Sequence, residues 1–344
     1  MPAPTAEQQA FLRQKLPANY IPVRPAILEL QAWLASPAAN DTPTDKAASA
    51  RQLVGLPDPE SGTSAEVLAH IAYRACEAIK LDRGNAAAYF MLARAMTELG
   101  RFDDYTYHAV PLREAIDFAE KSRLLAPKVG KAWRSAIELY IRLYRYDMAA
   151  HMLDELNESG CAPGTHASLQ ALLCEVQGYF QNAIQWLNKS ISYASSPSKR
   201  AELLMHQALD MIELDLKHDA DNTFYLAMME GGPQAWVAHN WSVLKHSLNN
   251  WPGCVELNRR ALIFDPKFEA AVEMNAFLQG VYAQQGQQLP LPASLQEERL
   301  RGMALPGCDD GVLEAERLTP WRPPARGTRA RMTRTFRSGL AEGE

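Results

Sequence analysis

Asp219-Ala-Asp221-Asn-Thr223 is the stretch of this 344-residue chain that comes nearest to a catalytic arrangement. In a D-x-D-x-T spacing the first carboxylate can attack phosphorus while the second manages protons, which is phosphotransferase-like chemistry. Such a pair has to be delivered by a buried strand, yet the preceding MIELDLKH carries the period of a helix. The segment therefore reads as a solvated helix start, where acids interact favourably with the helix dipole. His239 and His246 lie seven residues apart, on one helix face but about 10 Å distant along the axis, too far to share a metal ion. None of the patterns G-x-x-x-x-G-K, G-x-G-x-x-G, H-E-x-x-H or G-x-S-x-G occurs. The expectation is a protein with no catalytic residue, no cofactor and no metal, and thus not an enzyme.

Charge patterns suggest binding instead. Arg134, Glu138 and Arg142 recur every four residues, so on a helix they share one face, as either a solvated ion-pair ladder or a basic contact surface. Residues 317–344 hold seven Arg against two Glu, although the whole chain carries a formal net charge of -5. Arginines spaced among small and polar residues could touch RNA, DNA or an acidic protein, but a simple solvated terminus is the preferred reading. At 47% hydrophobic and 22% charged, the chain can bury a large core. No apolar run approaches the length of a membrane span, and the N-terminal MPAPTAEQQAFLRQKL has no apolar stretch behind a basic start. A cytoplasmic protein that does not enter membranes is the default. Its five scattered cysteines, without C-x-x-C pairs, read as reduced thiols.

Proline divides the chain into three zones. Nine of the 22 prolines fall in residues 1–60, seven in 61–283 and six in 284–344. Proline breaks helices, so only the middle zone should be continuously helical, with Pro127, Pro163, Pro197, Pro233 and Pro266 lying between helices. Residues 1–60 are expected to form an extension with one or two short helices and a flexible linker. Residues 284–344, rich in Pro and Arg, are expected to be largely irregular.

Within 61–283 a rhythm emerges. The turns Gly100-Arg101-Phe102, Tyr144-Arg145-Tyr146 and Gly178-Tyr179-Phe180 precede the small residues Ala115, Ala149 and Ala183. The last two intervals are 34 residues, and Ala220 and Cys254 are again 34 apart. This spacing, with Trp133 and Tyr140 in one half of a unit and Ala220 and Phe224 in the other, resembles the tetratricopeptide repeat (TPR) family over about residues 65–283. The resemblance implies an all-α fold: a right-handed α-solenoid of about six helical hairpins, each burying an apolar face against its neighbours. Small residues let paired helices approach closely. The second unit departs from the rhythm, since Phe102 precedes its small residue by 13 positions where Tyr146 and Phe180 precede theirs by three. The excess of ten, about DDYTYHAVPL, is expected to loop out or extend a helix. It brings Tyr105, Tyr107 and His108 as candidate contacts at a groove rim.

The same resemblance implies a non-catalytic scaffold or adaptor that holds a partner protein or peptide in a concave groove lined by the first helix of each pair. Carried onto this sequence, the groove positions are Phe90, Arg94 and Thr97, then Arg134, Glu138 and Arg142, then Ser168, Leu172 and Glu175. Met205, Leu209 and Ile212 follow, and Trp236, His239, Val243 and His246 complete the set. Such a groove is basic at its start and apolar or aromatic toward its end, which suits a partner with acidic and hydrophobic anchors. Members that hold chaperone carboxylates use Lys and Asn where this chain has Arg134 and Glu138, so that role is disfavoured. The competing reading is a regulatory subunit of an enzyme or nucleic-acid-associated complex, with the basic tail on RNA or DNA.

Overall fold

A computed structural model describes residues 12–13, 16–36, 47–56, 59, 63–102, 107–232 and 234–287. Tyr105 and the Arg-rich tail lie outside them. The described residues form an all-α protein of fourteen helices, accompanied by one pair of two-residue strands. The helices are α1 (Arg24–Leu34), α2 (Ala47–Leu53), α3 (Ala65–Leu81), α4 (Ala86–Leu99), α5 (Ala109–Leu125), α6 (Gly130–Arg142), α7 (Tyr146–Ser159) and α8 (Pro163–Val176). They continue as α9 (Phe180–Tyr193), α10 (Pro197–Glu213), α11 (Lys217–Gly231), α12 (Ala235–Ser247), α13 (Trp251–Phe264) and α14 (Glu269–Gln284). Strands β1 (Leu12–Arg13) and β2 (Tyr107–His108) pair in parallel.

Two compact units divide at Gln177 and Gly178, in the turn between α8 and α9. In the first, α4 packs on α5 and α6 on α7; in the second, α10 packs on α11 and α12 on α13. Each hairpin also leans on its neighbour, for example through α5 against α6 and α11 against α12. A helix with only one apolar side thus finds cover on both flanks. That stacking is the TPR-like arrangement.

The hairpin turns explain the rhythm. The links after α6, α8, α10 and α12 each contain one residue of left-handed backbone: Tyr144, Gly178, Asp215 and Asn249, with φ between 58° and 79°. A single such residue reverses the chain within three positions. Gly178, Asp215 and Asn249 suit this conformation, whereas Tyr144 bears the strain of a bulky side chain there. Five residues beyond each turn stands the small residue of the series, Ala149, Ala183, Ala220 or Cys254, and all four are fully buried. Sequence caps sharpen the ends: Asn85, Ser196 and Asn250 accept hydrogen bonds from the backbone N–H groups of Ala88, Lys199 and Gly253.

The link from α4 to α5 differs. It spans residues 100–108, and its described ends are pinned together: Arg101 bridges Tyr107, and the His108 N–H donates to the Gly100 carbonyl at 2.7 Å. Gly100 has ordinary right-handed backbone and is required for another reason, since a Cβ there would meet Pro111 at 2.9 Å. Helix α5 also begins six residues before Ala115, where α7 begins three before Ala149. Measured from the end of the first helix, the insertion is nine residues, not ten. Phe102 stands one place nearer its helix than Tyr146 and Phe180 do to theirs.

The N-terminal region belongs to the first unit's core. Tyr20, Val23, Ile27 and Leu30 are fully buried, and α1 and α2 both lie against α3. Glu114 on α5 clamps this region, accepting from the Tyr20 hydroxyl at 2.6 Å and from Arg24 Nε and Nη2 at 3.0 and 2.8 Å. Burial, aided by the Glu114 hydrogen bond, keeps Tyr20 protonated far above its usual range.

Candidate functional site

In the first unit the aligned positions of α4 and α6 gather charge. Glu138 lies at the centre: its Oε1 is 3.5 Å from Arg134 Nη1, and its Oε2 is 3.6 Å from both Arg94 Nη1 and Arg142 Nη2. A second carboxylate, Glu98, sits 3.8 Å from Arg94 Nη2 and 2.9 Å from Arg101 Nε. Four guanidiniums therefore share two carboxylates. Arg94 and Glu138 are only 5% exposed, so the centre of the ladder is buried, while the Arg134 side chain at its end stays 25% exposed. Burial alone would raise the Glu138 carboxyl, but Arg142, Arg134 and Arg94 outweigh it and hold it below the usual carboxylate range. Burial pulls the Arg94 guanidinium down despite Glu138 nearby.

Other parts of the chain close over this cluster. Arg94 Nη2 donates to the Pro59 carbonyl at 3.2 Å, and Arg134 Nη2 donates to Ser168 Oγ at 2.9 Å. Tyr107, buried, offers its ring to two cations, with the Arg142 guanidinium 4.9 Å and the Arg101 guanidinium 5.5 Å from its centroid. His108 is buried edge-on to Phe102, and Phe90 lies under the Lys131 ammonium at 5.0 Å. Thr97 turns its hydroxyl back to the Ala93 carbonyl. On α8, Leu172 is half-buried and Glu175 buried. The structure thus joins Arg94, Arg134, Glu138, Arg142 and Tyr107 in one place. Glu98 and Arg101 complete it, and their signal was local: they follow Arg94 at i+4 and i+7.

The corresponding face of the second unit is apolar. Met205, Leu209, Trp236 and Val243 are buried, while Ile212 and His246 are half-buried. His239 is 2% exposed and lies edge-on to Phe268 with centroids 5.6 Å apart, beside the Asn258 amide. Burial pushes its pKa down to about 4, opposed only in part by the neighbouring Asn258 amide. His246 sits edge-on to Trp251 at 4.6 Å and to Phe277 at 5.5 Å, and burial lowers it as well. The two histidines occupy separate aromatic settings.

The acids of the D-x-D-x-T stretch do not converge. Asp219 is in the first turn of α11, and Thr223 donates to its backbone carbonyl at 2.8 Å within the same helix. Asp221 instead ties α11 to α12, accepting from Trp241 Nε1 at 2.6 Å and Lys245 Nζ at 3.1 Å. These are packing contacts. Among the described residues no three His, Cys, Asp or Glu side chains gather as a cation site, and no helix is long and apolar enough to cross a membrane.

The class these features define is a TPR-like stack of helical hairpins. No family model matches the sequence, and no curated protein matches it. Among solved structures it is similar to YrrB, described as a TPR protein with an unusual peptide-binding site, at 16% identity and a TM-score of 0.37 over 60% of this chain and 99% of that one. It is also similar to the Cut9–Hcn1 hetero-tetramer of the APC/C, at 13% identity and 0.46, over 74% of this chain and 46% of that one. PilF of Pseudomonas aeruginosa matches at 13% identity and 0.42, over 75% of this chain and 99% of that one.

Proposed function

We propose that the protein is a cytoplasmic, non-catalytic scaffold that assembles a complex by holding partner segments on its first-helix faces. One observation carries this reading: α4, α6 and the link after α4 bring four guanidiniums (Arg94, Arg101, Arg134 and Arg142) against two carboxylates, a surplus of positive charge where the fold offers a face for a ligand. Buried charge is costly without compensation, so an acidic partner segment is the occupant such a face favours. The apolar, aromatic face of the second unit suits the hydrophobic anchors of the same or another partner. Native capture with nuclease treatment tests the reading. A stoichiometric protein should remain bound after nuclease and be lost from the Arg134→Glu/Arg142→Glu variant at physiological salt. Capture that vanishes with nuclease, or persists undiminished in the variant, overturns it.

A further inference from the structure

Helix α1 carries two apolar stripes. Val23, Ile27 and Leu30, spaced four and three residues apart, are fully buried where α1 packs on α3. Ile21, in the turn that leads into α1, begins a second stripe with the same spacing, continued by Pro25, Leu28 and Ala32. Its start is offset by two positions, about 200° around a helix, so it points the opposite way. All four of its residues are exposed, Ile21 by 54% and Leu28 by 43%. A surface helix keeps its outer face polar, whereas one that is apolar on opposite faces is built to be covered on both.

The exposed stripe extends onto α3 through Tyr73. This residue is 41% exposed, and its hydroxyl donates to the Pro22 carbonyl at 2.7 Å, which fixes the ring beside the start of the stripe. The surrounding charge is acidic. Glu66 and Glu77 stand seven residues before and four after Tyr73, on the same face of α3. The side chain of Glu77 is 63% exposed, and that of Glu29, next to Leu28, is 70% exposed. Lys80 lies 2.9 Å from Glu29 Oε1 and 3.5 Å from Glu77 Oε1, so one ammonium is shared between two carboxylates. The nearby guanidiniums are engaged elsewhere: Arg24 with Glu114 at 2.8 Å, and Arg74 with the Leu53 carbonyl of α2 at 3.1 Å. The rim of the stripe keeps a negative surplus.

We propose that this face of α1 and α3 is a docking site for a basic amphipathic helix of a partner protein. From Ile21 to Ala32 the stripe runs about 16 Å, the reach of three turns of a partner helix with apolar anchors at i, i+4, i+7 and i+11. The anchors pack on Ile21, Leu28 and the Tyr73 ring, and lysines or arginines beside them meet Glu29, Glu66 and Glu77. A second copy of this chain is a poorer occupant. In a two-fold pair the same patch meets itself, and the three glutamates would face their own counterparts. The site is separate from the α4–α6 face and takes a partner of opposite charge, so it stands independently of the acidic-partner reading. A scaffold with two such faces can hold two different partners.

The test uses the full chain and a capped, fluorescein-labelled peptide, Lys-Leu-Lys-Lys-Leu-Leu-Lys-Lys-Leu-Lys-Lys-Leu-Leu-Lys, with a control carrying Glu in place of every Lys. Fluorescence anisotropy at physiological salt shows saturable binding of the lysine peptide and none of the control. Leu28→Asp weakens binding by about tenfold and Glu77→Lys by about threefold, both with unchanged far-UV circular dichroism. Because Leu28→Asp adds a negative charge, binding by charge alone would tighten instead. Ala32→Arg, at the other end of the stripe, weakens binding likewise and replaces Leu28→Asp should that variant lose helicity. Bound peptide also slows hydrogen exchange in α1 of the wild type. Absence of binding, or binding unchanged or tightened in Leu28→Asp, overturns the site. A dimer in sedimentation velocity that Leu28→Asp dissociates also overturns it, since the occupant is then a second copy.

Discussion

Counted back from the left-handed turn residues, Arg134 in the first unit occupies the place of Met205 and His239 in the second, and Glu138 that of Leu209 and Val243. The backbone setting is the same, yet one face buries an ionic network and the other a hydrophobic layer. The repeat therefore constrains the positions between paired helices, where Ala149, Ala183, Ala220 and Cys254 are all fully buried, far more tightly than it constrains the first-helix face. Freedom at that face is what allows one architecture to present different chemistry in its two units.

Removing the centre of the ionic network should have the largest effect. Glu138→Gln leaves three guanidiniums without their shared carboxylate, and unit 1 should lose about 3–5 kcal/mol in urea unfolding followed by hydrogen exchange of α6. In the second unit Leu209→Ala should cost about 2–4 kcal/mol, the usual cost of a cavity, with little dependence on salt. If Glu138→Gln proves neutral, the network is an incidental cluster and the contrast between the faces fails.

Acid separates the units in another way. His239 has its pKa lowered from 6.5 to about 4 by burial, so between these values the unfolded chain takes up a proton that the folded chain refuses. Stability of unit 2 should therefore fall as pH drops from 6.5 toward 4, by about 3 kcal/mol, and His246 acts in the same direction. Glu138 behaves differently. Its stabilisation is fully present above the unfolded carboxylate value of 4.5 and is lost only as pH falls through its lower folded value. Hydrogen exchange at pH 5 should accordingly rise in α12 before α6, and His239→Phe should reduce the difference, leaving the part due to His246.

Smaller effects refine the comparison. Tyr20→Phe removes the hydroxyl that binds Glu114 and should destabilise unit 1 by about 1 kcal/mol in thermal melts, while leaving unit 2 unaffected. Asp215→Gly relieves left-handed backbone in the α10–α11 turn and should raise the stability of unit 2 by about 0.5 kcal/mol. A loss instead would mean that the exposed Asp215–Lys217 pair matters more than the backbone.

Much of the fold was legible because close packing writes itself into local sequence. The series 115, 149, 183, 220 and 254 marks small side chains, and the structure buries each of them fully. Less legible was the turn chemistry, since Tyr144, Gly178, Asp215 and Asn249 share a conformation and not a residue type. The contacts of Tyr20 and Arg24 with Glu114 span about ninety residues and leave no local period, so no short stretch of sequence announces them.

The chain by itself therefore determined the helical period, the hairpin interval and the place of the insertion, because each follows from contacts between residues close in sequence. Only the tertiary structure decided whether Arg134, Glu138 and Arg142 face water or one another. That depends on Arg94 from a neighbouring helix, on Pro59 and on Tyr107, and the energy of a charge is set by whatever the rest of the chain brings around it.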